Sequence, residues 1–290
     1  MINGYLRCCA LACWVLLASC GTETETGAQT STSANANDGA EKTVGVERAA
    51  VSIDAPAGVA PVIDDSAVAV LKEMTGTLAG LAEFAVTLET GFDVLQPNGQ
   101  KVEFGSRRSA SIRRPDKARF AYQERSGIAG EIVLDGSEIW AYEKNQNVYA
   151  SIPQEGDLDA SLDFIVNELG IPVPISDFLA EDPSVALAEG VLEAQNLGPS
   201  TIDNQPSQHI ALRKAGVDYQ IWIADANQLP VRLVITYIDE PGQPQFWVQF
   251  LEWVTTVSSD DAVFEFSPPE DAERIRFATF DSSVAEEETP

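Results

Sequence analysis

Residues 84–112 read FAVTLETGFDVLQPNGQKVEFGSRRSASI, and the alternation in this stretch decides the fold class. Phe84, Val86, Leu88, Phe92 and Val94 share one parity, while Thr87, Glu89 and Asp93 share the other. Successive strand side chains point to opposite faces, so this is a strand with one buried face. Pro97-Asn98-Gly99 supplies the residues of a tight hairpin turn. The return strand carries Val102, Phe104, Ala110 and Ile112 on one parity. A turn at Pro115-Asp116 leads into Ala118, Phe120 and Tyr122. Asp135-Gly136 and Lys144-Asn145-Gln146-Asn147 separate three more short strands, around 130–134, 138–143 and 147–152. Strands joined by tight turns pair antiparallel, so the first half is a meander.

Working outward, Val68, Leu71, Met74, Leu78 and Leu81 recur at helical spacing, with Asp65 or Ser66 as cap, which predicts a helix over 66–80. Residues 157–170 (DLDASLDFIVNELG) interrupt the strands. They put Leu158, Leu162, Ile165, Val166 and Leu169 on one helix face, with Asp157 as N-cap and Gly170 at the C-terminal left-handed position. A second helical stretch runs from Asp182 to Gly190 with Pro183 in its first turn. Strands resume at about 191–198, 208–214, 217–224, 230–238 and 245–256, with a short one near 263–266. The expectation is an α+β domain over 65–277. A long curved antiparallel sheet of about eleven strands carries an N-terminal helix and a central helical insertion. A sheet of that length must curl to hide its inner face.

The chain has 290 residues, 18 Lys and Arg against 45 Asp and Glu, one His and four Cys, for a net charge of −27. That charge excludes general nucleic-acid binding, which needs clustered cations. All four cysteines, Cys8, Cys9, Cys13 and Cys20, fall in the first 20 residues. The body therefore has no thiolate metal site, disulfide or cysteine nucleophile. The single His209 stands in a strand with no GxSxG or HExxH motif near it. No catalytic residue, metal site or cofactor is expected.

The run from Cys8 to Ser19 (CCALACWVLLAS) is apolar, follows Arg7 and is too short to span a bilayer. Leu17-Ala18-Ser19-Cys20 resembles the lipobox of bacterial lipoproteins. That resemblance implies removal of residues 1–19, diacylation of Cys20 and firm membrane anchoring. Gly21 in place of Asp after the Cys leans toward the outer membrane, so the expected place is its periplasmic face. Residues 20–64 are a Thr, Ser, Ala and acid-rich linker, whose 44 residues after Cys20 give a reach of about 35–40 Å as a flexible coil. Residues 278–290 form an acidic tail.

Several stretches carry a further resemblance: Arg113-Arg114-Pro115-Asp116-Lys117; Leu162-Asp163-Phe164 through Gly170-Ile171-Pro172 to Ser176-Asp177-Phe178-Leu179; Leu229-Pro230-Val231-Arg232-Leu233; and Phe264-Glu265-Phe266-Ser267-Pro268-Pro269. Together they look like an uncharacterised family of Gram-negative periplasmic proteins, similar in fold to the LolA/LolB-type lipoprotein carriers and receptors. The resemblance implies an incomplete barrel whose sheet wraps around a helical lid. It also implies a space between them that accepts acyl chains.

On that reading Phe164, Ile165, Leu169, Phe178 and Leu179 are the ligand-binding candidates, against the plainer reading that apolar helix stripes are core. Residues 101–125 hold eight bases against three acids, so Arg107, Arg108, Arg113 and Arg114 are candidates for contact with a head group or partner. The plainer reading is a hairpin whose arginines pair with neighbouring acids. Residues 245–254 are apolar on both parities, with Phe246, Val248 and Phe250 on one and Trp247, Leu251 and Trp253 on the other. This suggests a Trp247/Trp253 face. The expected function is a membrane-anchored, non-enzymatic binding module for a lipid or acyl chain. The alternative is a sensor or assembly adaptor that binds a protein through the arginine hairpin or the aromatic face.

Overall fold

The computed structural model describes residues 62–257 and 259–277. The expected signal segment 1–19, Cys20, the expected linker as far as residue 61 and the expected tail 278–290 lie outside the described residues. The elements in chain order begin with α1 (Asp65–Ala79), β1 (Glu83–Leu95), β2 (Lys101–Arg113), β3 (Lys117–Glu124), β4 (Ala129–Asp135), β5 (Glu138–Glu143) and β6 (Val148–Pro153). Three short helices follow, α2 (Leu158–Asn167), α3 (Ser176–Leu179) and α4 (Pro183–Ala188). The chain then forms β7 (Val191–Ile202), β8 (Gln205–Lys214), β9 (Val217–Ala224), β10 (Pro230–Tyr237), β11 (Gln245–Val254) and β12 (Glu273–Arg274).

All twelve strands join one sheet in the order β12-β6-β5-β4-β3-β2-β1-β11-β10-β9-β8-β7. Two meanders, β1–β6 and β7–β11, meet where β1 pairs antiparallel with β11. The sheet is open and curved, with β7 and β12 as its edges. It is mixed rather than wholly antiparallel, because β12 runs parallel to β6.

The first hairpin follows the sequence pattern. Phe84, Val86 and Leu88 are buried, and Gly99 takes φ 81° in the turn. α1 is capped one residue earlier than predicted, by Asp64, whose carboxylate accepts from Ser66 N–H at 2.8 Å. Its buried side is set by Ala67, Met74 and Leu78, and Val68 stays exposed.

Three expectations on the second half change. The strand near 263–266 is a 3-10 turn, Asp261–Phe264, and the last strand is β12. The segment around that turn packs on the convex face of β3–β6. There Phe264 is buried, and Phe266 meets Trp140, Tyr142 and Tyr149 at ring distances of 5.6, 5.7 and 6.3 Å. Finally, Trp247 and Trp253 do not share a face. Thr87 pairs with Glu252 but Leu88 with Phe250, so Leu251 is the extra residue of a β-bulge. Beyond the bulge the parity reverses. Trp253 turns inward against Phe250 and Phe84, at 5.5 and 6.0 Å, while Trp247 stays on the convex side.

Candidate functional site

The strand registers place the concave wall row by row. Ile132, Phe120, Ala110, Val86 and Trp253 form one row across five strands. Ser106, Thr90, Val248, Leu233, Ile221 and Ile210 form another. A third ends in Tyr237, Val217 and Lys214. The wall is mostly hydrocarbon, as inward parities of sheet strands are. Its polar members are Thr90 and Ser106, whose hydroxyls bond each other at 2.9 Å, and a few larger groups considered below.

Residues 158–188 lie over this wall as a lid. Asp157 caps α2 by accepting from Ala160 N–H at 2.9 Å, and Asp182 caps α4 by accepting from Ser184 N–H at 3.0 Å. The Asp159 carboxylate accepts from Glu181 N–H at 2.9 Å and ties α2 to the α3–α4 connection. The lid meets the sheet through side chains, among them Phe178 against Phe250 at 6.0 Å. The main-chain bond from Leu158 N–H to the Pro115 carbonyl, at 2.6 Å, pins its start.

Of the predicted ligand contacts, Ile165 and Leu179 are fully buried, Phe178 and Leu169 nearly so, and Phe164 half-buried. All five pack into one core with the sheet. Their side chains occupy the space beneath them, and two small cavities among the described residues have volumes of about 100 and 30 Å³. The larger is lined by Leu229, Pro230, Phe250 and Trp253, and the smaller by Arg114, Leu158, Asp159 and Glu181. Small-molecule pockets run to about 300–1,000 Å³.

The four candidate arginines do not form one face. Arg107 and Arg113 have the convex parity, opposite Glu89 and Glu83. Arg113 is held by Glu83, Asp261 and the Ser259 carbonyl, and lies 4.7 Å from the Phe264 ring centre. Arg108 has the concave parity, opposite Leu88 and Tyr122. Its Nε donates to Ser106 Oγ at 2.9 Å, and its guanidinium lies 5.8 Å from the Tyr122 ring. Arg114 sits beside the start of the lid, near Leu158 and Asp159, donating from Nε to the Leu81 carbonyl at 3.1 Å. Burial pushes its pKa down, against the pull of Asp159 and Glu181, and its Nη2 is buried without a hydrogen-bond partner. The rest of the basic hairpin also meets acids: Arg119 bonds Glu131, and Arg125 bonds Glu103 and Glu89.

His209 lies on the convex face, stacked on Trp222 at 4.1 Å with Nε2 3.2 Å from Gln220 Oε1. Burial pushes its pKa down. Among the described residues no group of three His, Cys, Asp or Glu gathers as a metal site, and no helix is long and apolar enough to cross a membrane.

Sequence reasoning missed Lys214 and Asp177. Lys214 is inward on β8 after Ile210 and Leu212, so strand parity alone carried the signal. Its Nζ donates to the Ala186 carbonyl of the lid at 3.1 Å.

A comparison with protein families matches residues 67–278, α1 through β12, to the predicted periplasmic proteins termed DUF2092. The chain belongs to the DUF2092 family. The expected membership of an uncharacterised periplasmic family is thereby met. Among solved structures, this DUF2092 chain is similar to an uncharacterized conserved protein from Thermus thermophilus, at 14% identity, TM-score 0.40 and coverage of 73% of this chain and 99% of that one. It is also similar to LprF from Mycobacterium bovis (14%, TM-score 0.44, covering 69% and 97%). A third likeness is to a LolA superfamily protein from Nitrosomonas europaea (11%, TM-score 0.32, covering 69% and 97%). A search of curated proteins found no match.

Proposed function

We propose that this DUF2092 protein is a lidded receptor for a hydrophobic ligand, a lipid or acyl chain, which it takes between the concave sheet and residues 158–188. The supporting observation is the construction of the lid. Three helices of ten, four and six residues cover an apolar wall largely by side-chain packing. Helices this short are marginal alone, so their order comes from the wall they cover. Lifting them leaves the sheet ladders intact and exposes two matched apolar surfaces, which an acyl chain replaces. Phe164, Ile165, Leu169, Phe178 and Leu179 supply the lid side of that contact. No covalent chemistry is required.

In this reading Cys20 carries the lipid, and the linker holds the domain near the periplasmic face of the outer membrane. The receptor therefore works on ligands delivered to or taken from that surface. The test is to extract the full chain from membranes in mild detergent and examine it by native mass spectrometry. A mass increment matching lipid, removed by excess fatty acid, is expected beyond that of the Cys20 acyl groups. A chain carrying no such increment, and taking up no fatty acid, overturns the proposal.

A further inference from the structure

Lys214 is the least exposed charged side chain among the described residues, at 5%. It closes an inward file that begins with Ile210 and Leu212, where another aliphatic residue would complete the wall. In the closed state it receives little for its charge. Nζ donates to the Ala186 carbonyl at 3.1 Å and lies 5.5 Å from the Tyr219 ring centre. Among the described residues no carboxylate oxygen comes within salt-bridge distance. The acids that face it are Asp177 of α3 and Glu189 after α4. Burial pushes the Lys214 ammonium down and the Asp177 carboxyl up, each partly corrected by the other. Uncompensated burial of charge is costly, and a carbonyl with an aromatic face does not repay it.

The two sides of this contact belong to different bodies. Lys214 stays with the sheet, with Val217 and Tyr237 in its row. Asp177 and Ala186 belong to the lid and leave together when it lifts. The ammonium then faces the cleft at the end of the hydrocarbon file of Leu212, Ile210 and Ile221. We infer that the ligand is an acidic amphiphile whose anionic oxygens, carboxylate or phosphate, take the place of Asp177 and the Ala186 carbonyl at Lys214. This rests on the lidded-receptor reading and names its ligand class. Asp177 then acts as an internal competitor for the ammonium, facing Lys214 across the closed cleft.

The test is competition against a neutral fluorescent acyl probe on the delipidated full chain, below micellar concentrations. Three ligands share one oleyl chain: oleate, oleoyl lysophosphatidate and oleyl alcohol. The acids are expected to outcompete the alcohol by about tenfold, as a charge-assisted hydrogen bond allows. In Lys214→Met that preference should shrink to within about twofold, and a retained cooperative melting transition shows the variant to be folded. Asp177→Asn should tighten the acids several-fold and leave the alcohol alone. A preference by one acid alone supports the inference and names the head group. Equal affinity for acid and alcohol, or a preference that survives Lys214→Met, overturns the inference but leaves the receptor standing. Failure of all three ligands overturns both.

Discussion

Trp247 lies on the convex face where Gly91 has no side chain. A Cβ on Gly91 would come within 2.5 Å of the indole. The ring is held between Arg232 and Arg125, at 5.4 and 5.9 Å, and donates from Nε1 to Glu103 at 3.0 Å. Gly91→Ala should therefore destabilise the domain by about 1–3 kcal/mol, read from the urea midpoint, because the indole must leave a packed position. Acyl binding should be unchanged, since the concave wall is untouched.

Asp135 makes a different single-residue case. Burial raises its pKa, but bonds from the Glu138 and Ser137 N–H groups, the Ser137 hydroxyl and the Trp140 indole more than offset this and leave it lowered. A lowered carboxyl contributes stability above its unfolded value, about pH 4, and loses it as pH falls through the folded value. The melting temperature should drop on acidification, and Asp135→Asn should flatten that drop. An unchanged pH profile in the variant would contradict the assignment.

At the scale of elements, the lid is the part whose stability should stand apart. Leu179→Ala removes a fully buried side chain and should cost about 2–4 kcal/mol locally. Hydrogen exchange should then rise across 158–188 and stay slow in β1, β2 and β11. Uniformly faster exchange would mean that the lid and sheet open as one unit.

The first hairpin, the lid caps and the apolar stripe of α2 were legible because each is written in local spacing. The bulge at Leu251 was not. It exists only relative to β1, and without it Trp253 would count with Trp247. β12 has two residues and pairs parallel with β6, so it carries no alternation to read. Phe264 and Phe266 do alternate, but they pack from a turn onto an outer face, and spacing alone does not separate the two. At the candidate site, the apolar lid residues were legible as a stripe, whereas the sorting of the four arginines depended on registers across three strands.

For the whole molecule, the chain carries a net charge of −27, while Arg113, Arg119 and Arg125 of the basic hairpin are paired with Glu83, Glu89, Glu103, Glu131 and Asp261. The proposed anchor at Cys20 is tested separately from the cleft. Cys20→Ser should move the protein from the membrane to the soluble fraction without altering its melting curve, because acylation adds membrane affinity rather than fold. Retention in the membrane fraction would contradict anchoring through Cys20.

The proposed receptor holds an acyl chain between sheet and lid. The most direct measurement is photolabelling of the full chain with a diazirine-bearing fatty acid, followed by peptide mapping. Labels are expected within 158–188 and on the inward residues of β8 to β11 and β1, and excess oleate should abolish them. Labels confined to the convex face, or labels that excess oleate does not remove, would contradict it.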